Sequence, residues 1–145
     1  MPEPVALLSS VDIPKESFFD FLRTTSITDT KLVLSPREYC DAQLIRGNEN
    51  IWIVFESEEP YYYEEDEEYG QLLQKLGGHP RTDIIIDISS TEPESQHLAV
   101  EFACAFTEQW PCVVDNLRGD ERHRIYSAQE IRELCNKGIG FWDQK

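Results

Sequence analysis

The sequence predicts an α+β or α/β domain, a single mixed β-sheet with helices packed on it, and three observations carry that prediction. Short runs dense in β-branched residues, such as Ile51 to Phe55 and Asp83 to Ser89, alternate with stretches of helical periodicity. The order strand–helix–strand–strand occurs in each half of the chain, without a detectable sequence repeat. The composition, 40% hydrophobic and 28% charged over 145 residues, is that of a folded protein rather than a disordered one, so residues 1–145 read as one globular domain.

Val5 to Leu8 suits a short buried strand. Asp12-Ile13-Pro14 then opens a helix over Lys15 to Arg23, with Asp12 a candidate N-cap, Pro14 tolerable in the first turn, and Phe18, Phe21 and Leu22 on one face. Thr24 to Thr30 reads as a loop. Lys31 to Ser35 is a strand stopped by Pro36, Tyr39 to Ile45 another, and Arg46 to Asn50 a turn. Ile51 to Phe55 is the clearest central strand of the first half. Tyr69, Leu72, Leu73 and Leu76 lie at helical spacing, and Gly77-Gly78 ends that helix.

In the second half, the unbroken isoleucines of Asp83 to Ser89 predict a strand covered on both faces. Thr91 followed by Glu94 has the form of a capping box, and Leu98, Phe102, Phe106 and Trp110 recur every four residues, the stripe of a deeply buried helix. Pro111 stops it. Cys112 to Asp115 and Arg124 to Tyr126 are short strands flanking a polar turn. Ser127 with Glu130 is a second capping box, opening a helix that carries Ile131, Leu134 and Cys135 and is closed by Gly138. Phe141-Trp142 is expected to fold back over the core.

The functional signal is charge. Glu56 to Glu68 holds eight of the 28 acidic residues, three consecutive tyrosines and no base, in a chain of net charge −15. Carboxylates this dense cannot be buried unpaired, so the segment 56–68 faces water or a basic partner. A solvated loop is the plain alternative. Against it, the run is internal, its ends are fixed by a strand and a helix, and a purely solubilising loop has little use for three aromatic rings. The candidate partner-binding residues are therefore Glu58, Glu59, Tyr61, Tyr62, Tyr63, Glu64, Glu65, Asp66, Glu67 and Glu68, the acids for steering and ion pairs, the tyrosines for packed contacts.

The same charge argues against direct binding to nucleic acid or to anionic membranes, both of which need clusters of Lys and Arg. The start of the chain has no basic, apolar leader pattern, and the longest apolar stretch, Leu98 to Phe106, is too short to span a bilayer, so a cytoplasmic protein is expected. Cys40, Cys104, Cys112 and Cys135 contain no Cys-x-x-Cys; reduced, buried thiols fit better than a zinc site completed by His79, His97 or His123. No cofactor is expected.

Asp87 and Asp115, at the ends of two buried strands and with Asp83 and Glu101 as neighbours, form the best enzymatic constellation, one suited to Mg²⁺. Strand-end aspartates more often cap turns. Ser127 and Ser89 lie beside no plausible His-Asp pair. The basic cluster Arg118, Arg122, His123 and Arg124 is interleaved with Asp120 and Glu121, as a charge-balanced surface would be.

As a small acidic domain, the chain resembles the immunity proteins of bacterial toxin–immunity systems. Asp83 to Ser89, Leu98 to Ala103, Trp110 to Asn116 and Tyr126 to Ile131 also resemble a pattern found in uncharacterised bacterial proteins, over about the last 60 residues. The resemblance implies a non-enzymatic inhibitor that occludes the active site or an exosite of a cognate basic toxin, a nuclease suiting the charge best. The rival readings are a metal-dependent hydrolase or nuclease using Asp87 and Asp115, and an acidic adaptor or nucleic-acid mimic for another basic protein.

Overall fold

A computed structural model describes residues 4–25, 30–38, 40–47, 49–56, 67–88, 93–116, 124–138 and 140–141, with the side chains of 37, 56, 67–69, 88 and 93–95 excepted. Seven strands, β1 (Val5–Ser9), β2 (Lys31–Arg37), β3 (Cys40–Arg46), β4 (Glu49–Glu56), β5 (Thr82–Ile88), β6 (Cys112–Asp115) and β7 (Ile125–Tyr126), form one sheet in the order β2-β3-β4-β5-β1-β6-β7. Among the described residues four helices accompany them: α1 (Lys15–Thr24), α2 (Glu67–Leu76), α3 (Pro93–Gln109) and α4 (Ala128–Lys137). The fold is α+β. Every strand pairing is antiparallel, where a mixed sheet was expected, because β1 lies between β5 and β6 and runs against both.

All five residues of β1 are buried, since the strand is interior to the sheet and covered on both sides. Alternation along the strands sends Val5, Leu7, Ile53, Ile84, Ile86 and Val114 to one face, where they join Phe18, Phe21, Phe102, Phe106 and Ile131 of α1, α3 and α4. Ala6, Leu8 and Val113 point the other way, to Leu72 and Leu76 of α2. The first face is rich in rings. Phe18 stacks on Phe55 with centroids 5.0 Å apart, and Phe106 lies 4.9 Å from Trp110. The four-residue recurrence of α3 is the reason: Leu98, Phe102 and Phe106 are fully buried, while Trp110 falls just beyond the helix and is half-buried.

Several boundaries differ from expectation. Asp12 is exposed and does not cap α1. Pro14 occupies the N-cap position with an extended ψ of 139°, because buried Ile13 donates its N–H to Thr82 Oγ1 at 3.0 Å and keeps the chain extended. Pro36 does not stop β2: the strand continues to Arg37 through a register shift between Leu34 and Arg37, with Ser35 at φ 50°. Proline is tolerable there because β2 is an edge strand and needs no ladder donor on its outer side. Ile84 and Ile86 are fully buried, but Ile85 is only half-buried at the margin of the α2 cluster.

The Ser127 capping box forms as expected, Ser127 Oγ accepting from Glu130 N–H and Glu130 Oε1 from Ser127 N–H. Gly138 closes α4 at φ 68°, its N–H directed at the Leu134 and Cys135 carbonyls. Phe141 does fold back, 1% exposed and 5.4 Å from the Tyr126 ring. The backbone approaches closely at Gly140, where a Cβ would come within 2.5 Å of Gln96 Oε1. Tyr39, Ser89, Thr91, the segment 117–123 and Trp142 lie outside the described residues. No described helix is long and apolar enough to cross a membrane.

Candidate functional site

Of the predicted partner-binding residues, Glu58, Glu59, Tyr61, Tyr62, Tyr63, Glu64, Glu65 and Asp66 lie outside the described residues, and Glu67 and Glu68 are described as the backbone that opens α2. The first turn of a helix favours carboxylates, since the unpaired N–H groups there carry partial positive charge, so Glu67 and Glu68 have a local structural reason for their identity. The segment 57–66 is bounded on both sides by well-anchored elements. On one side, Phe55 is 6% exposed and donates its N–H to Asp41 Oδ2 at 2.7 Å, while Glu56 pairs in register with Asp83. On the other, Leu72 and Leu76 fix α2 against β1 and β6.

Beside this boundary the sheet turns a half-buried row of mixed character towards the α2 side. Trp52 sits in register with Gln43 and Asp87, Val54 with Ile85, and the α2 cluster reaches only as far as Ile85. In sequence Ile51 to Phe55 reads as one central strand, without distinction between its two sides. Alternation was the signal available: Ile51, Ile53 and Phe55 are buried, whereas Trp52 and Val54 are not.

Positive charge is already committed at several described sites. Lys15 meets Asp41 at 2.9 Å, Arg23 meets Asp20 at 3.1 Å, and Lys75 meets Glu130 at 2.9 Å. Arg46 bridges Glu49, at 2.8 Å, and Glu101. Burial alone would lower the Arg46 pKa, but these two carboxylates hold it above its ordinary value. Four of the thirteen Lys and Arg side chains are thus engaged with carboxylates.

The carboxylates proposed for Mg²⁺ do not converge. Asp83, Asp87 and Asp115 share the α2 side of the sheet, but β1 runs between β5 and β6, which places Asp87 and Asp115 two strand spacings apart and two residues out of register, roughly 12 Å. Oxygens that share a cation must each lie within about 2.5 Å of it. Glu101, expected nearby, belongs to α3 on the opposite side and pairs with Arg46. Among the described residues no group of three His, Cys, Asp or Glu side chains is arranged to hold a metal ion. Ser127 is occupied as an N-cap. Of the basic cluster, only Arg124 is described, and it is exposed.

A small cleft of about 100 Å³, without a signature in the sequence, lies between α3 and α4 and is lined by His97, Val100, Glu101, Leu134, Cys135 and Gly138. His97 and Glu101 are one turn apart on α3, a spacing that puts them on one side, but nothing local shows that α4 brings a thiol to meet them. Burial, and then Cys104 and Glu101, push the Cys135 thiol up to about 11, so at neutral pH it is a thiol and a poor nucleophile. No family model matches the chain, and no curated protein or solved structure matches it.

Proposed function

We propose that the protein is a non-enzymatic acidic binding protein of the immunity-protein kind, which neutralises a basic toxin domain by occluding its active site or an exosite. The observation that carries this reading is the placement of the acidic, tyrosine-bearing segment between two anchored elements, the end of β4 and the start of α2. Fixed ends reduce the entropy lost when such a segment is ordered on a partner. Glu58, Glu59 and Glu64 to Glu68 supply steering toward an Arg- and Lys-lined groove, and Tyr61, Tyr62 and Tyr63 the packed contacts. A groove of that charge is what a nuclease presents to its substrate's phosphates, which makes a nuclease the favoured partner. The separation of Asp87 from Asp115 across β1 gives the rival metal-dependent hydrolase no support.

The test is capture from the source cell with the tagged protein at low salt, elution by a salt step, and assay of what elutes. The expected result is one basic protein at a one-to-one ratio whose activity is inhibited when the two are mixed. Neutralising Glu64, Glu65, Asp66, Glu67 and Glu68 together to amides should slow association about tenfold or more at low salt and flatten its salt dependence. Replacing Tyr61, Tyr62 and Tyr63 by alanine should instead speed dissociation, each buried ring contributing about 2 kcal/mol. Inhibition unaltered in both variants would place the interface elsewhere. A basic partner that is bound but not inhibited would make the protein an adaptor or nucleic-acid mimic.

A further inference from the structure

The four cysteines divide into two kinds: Cys40 and Cys112 are buried, whereas Cys104 and Cys135 are only half-buried. Cys104 lies in the second half of α3 and Cys135 in the last turn of α4, and these two helices pack directly on one another. Cys135 lines the α3–α4 cleft together with Glu101, which is one turn before Cys104 on the same side of α3. The two thiols lie close enough across the interface to interact directly, and both flank the main core. Packed helix axes are roughly 8–10 Å apart and each Cα sits about 2.3 Å off its axis, so residues at the contact have Cα atoms from about 3.4–5.4 Å apart upwards, which reaches the roughly 4.4–6.8 Å span of a disulfide.

We infer that Cys104 and Cys135 form a reversible intramolecular disulfide that latches α4 onto α3 when the protein meets a peroxide. The cleft exposes Cys135 to the oxidant. Cys135 gives its proton to solvent, and the thiolate sulfur attacks one peroxide oxygen; the O–O bond breaks, leaving a sulfenic acid and releasing the other oxygen as water. The Cys104 thiolate then attacks the Cys135 sulfur and displaces hydroxide, which takes up the Cys104 proton as a second water. In sum two thiols and one hydrogen peroxide give one disulfide and two waters. A low-molecular-weight thiol reverses it by exchange. Because the Cys135 thiolate is scarce at neutral pH, the latch responds to sustained oxidation rather than to a brief pulse.

What the bond changes is the freedom of the last helix. Among its ten residues α4 buries only Ile131 and Leu134, so its opening is expected to lie at the low end of the molecule's local stabilities. A covalent tie to α3 removes that opening.

The full-length protein is treated with hydrogen peroxide, thiols are blocked, and the product is cut by a glutamate-specific protease. Cleavage after Glu101, Glu108 and Glu133 separates all three relevant cysteines without any substitution. The expected product has lost two hydrogens per chain, with segment 102–108 joined to segment 134–145. Its α4 amides exchange at least tenfold more slowly, and its Tm is about 5 °C higher, than in the reduced protein. A Cys112→Ser variant should retain the bond and a Cys104→Ser variant should lose it. A bond that uses Cys112 or joins two chains, persistence in Cys104→Ser, or four free thiols after oxidation would each overturn the inference.

Discussion

On one face of the sheet, α1 and α3 bring interlocking rings down onto aliphatic strands, whereas on the other α2 brings leucines onto aliphatics flanked by carboxylates. Phe18, Phe21, Phe102 and Phe106 on the first face have ring centroids within 6.5 Å of one another, one pair stacked and the others edge to face or tilted. On the second, Leu72 and Leu76 meet Ala6, Leu8 and Val113, with Asp83, Asp87 and Asp115 on the same side of the strands. The difference teaches a division of labour. Rings bury the most area per residue and fix each other's orientation, so one face carries most of the packing. The other needs only enough contact to hold one helix, α2, which begins directly after the acidic segment.

The largest expected effect tests that division. Phe102→Ala removes a fully buried ring from the centre of the cluster and should cost about 3–5 kcal/mol, read from urea unfolding. Leu72→Ala, equally buried but in the smaller α2 cluster, should cost about 2–3 kcal/mol. The sheet separates the two side chains, so the double variant should be additive within about 0.5 kcal/mol. A Leu72→Ala cost equal to that of Phe102→Ala would break the comparison.

How much of this was legible in the sequence follows from the range of the forces involved. Helices declared themselves through local periodicity and caps: the four-residue recurrence from Leu98 to Phe106 and the Ser127–Glu130 box need no knowledge of partners. Strand pairing did not. That β1 inserts between β5 and β6, and so makes the sheet wholly antiparallel and parts Asp87 from Asp115, is a long-range choice with no local marker. Pro36 misled because a strand-breaker is a breaker only in a central strand, and edge position is a tertiary property. Asp12 misled because the N–H of Ile13 went to Thr82, far away in sequence. The Cys104–Cys135 approach is likewise created by helix packing. The acidic segment is legible as charge and ring chemistry, and its partner, being another molecule, leaves no trace in this chain beyond that complementarity.

A third experiment sharpens the boundary between core and helix layer. Cys112, 3% exposed on the ring-lined face, has its thiol pushed up to about 12, first by burial, with Arg132 opposing and Cys104 adding. The folded-state pKa is raised, so the unfolded chain releases this proton at lower pH than the native protein does. No stability is lost below the ordinary value near 9; it declines from there towards pH 12 as unfolding becomes coupled to ionisation. At pH 10.5 the contribution should be about 2 kcal/mol, seen as a fall in the urea midpoint that is shallower in Cys112→Ala. Parallel pH curves for the two proteins would show Cys112 to be better solvated than its burial implies.

The smallest effect concerns a contact that ties the two faces around the sheet's end. Glu130 serves two partners: it completes the capping box with Ser127 N–H, and it meets Lys75 of α2, whose Nζ also donates to the Ile125 carbonyl at 2.6 Å. Burial would raise the Glu130 pKa, but Lys75 and Ser127 more than offset it and hold the carboxylate below its ordinary value. A depressed acid contributes its stability above its unfolded pKa and loses it as pH falls through the folded one, so this tie weakens in mild acid, below about pH 4.5. Ser127→Ala removes one cap bond and should cost about 1 kcal/mol at neutral pH. Lys75→Met should cost less, because the ion pair is substantially exposed and screened by solvent. If Lys75→Met nevertheless proved the costlier change, the bond to the Ile125 carbonyl would be the stronger element, and α2 would be secured at the edge of the sheet rather than by Leu72 and Leu76 beneath it.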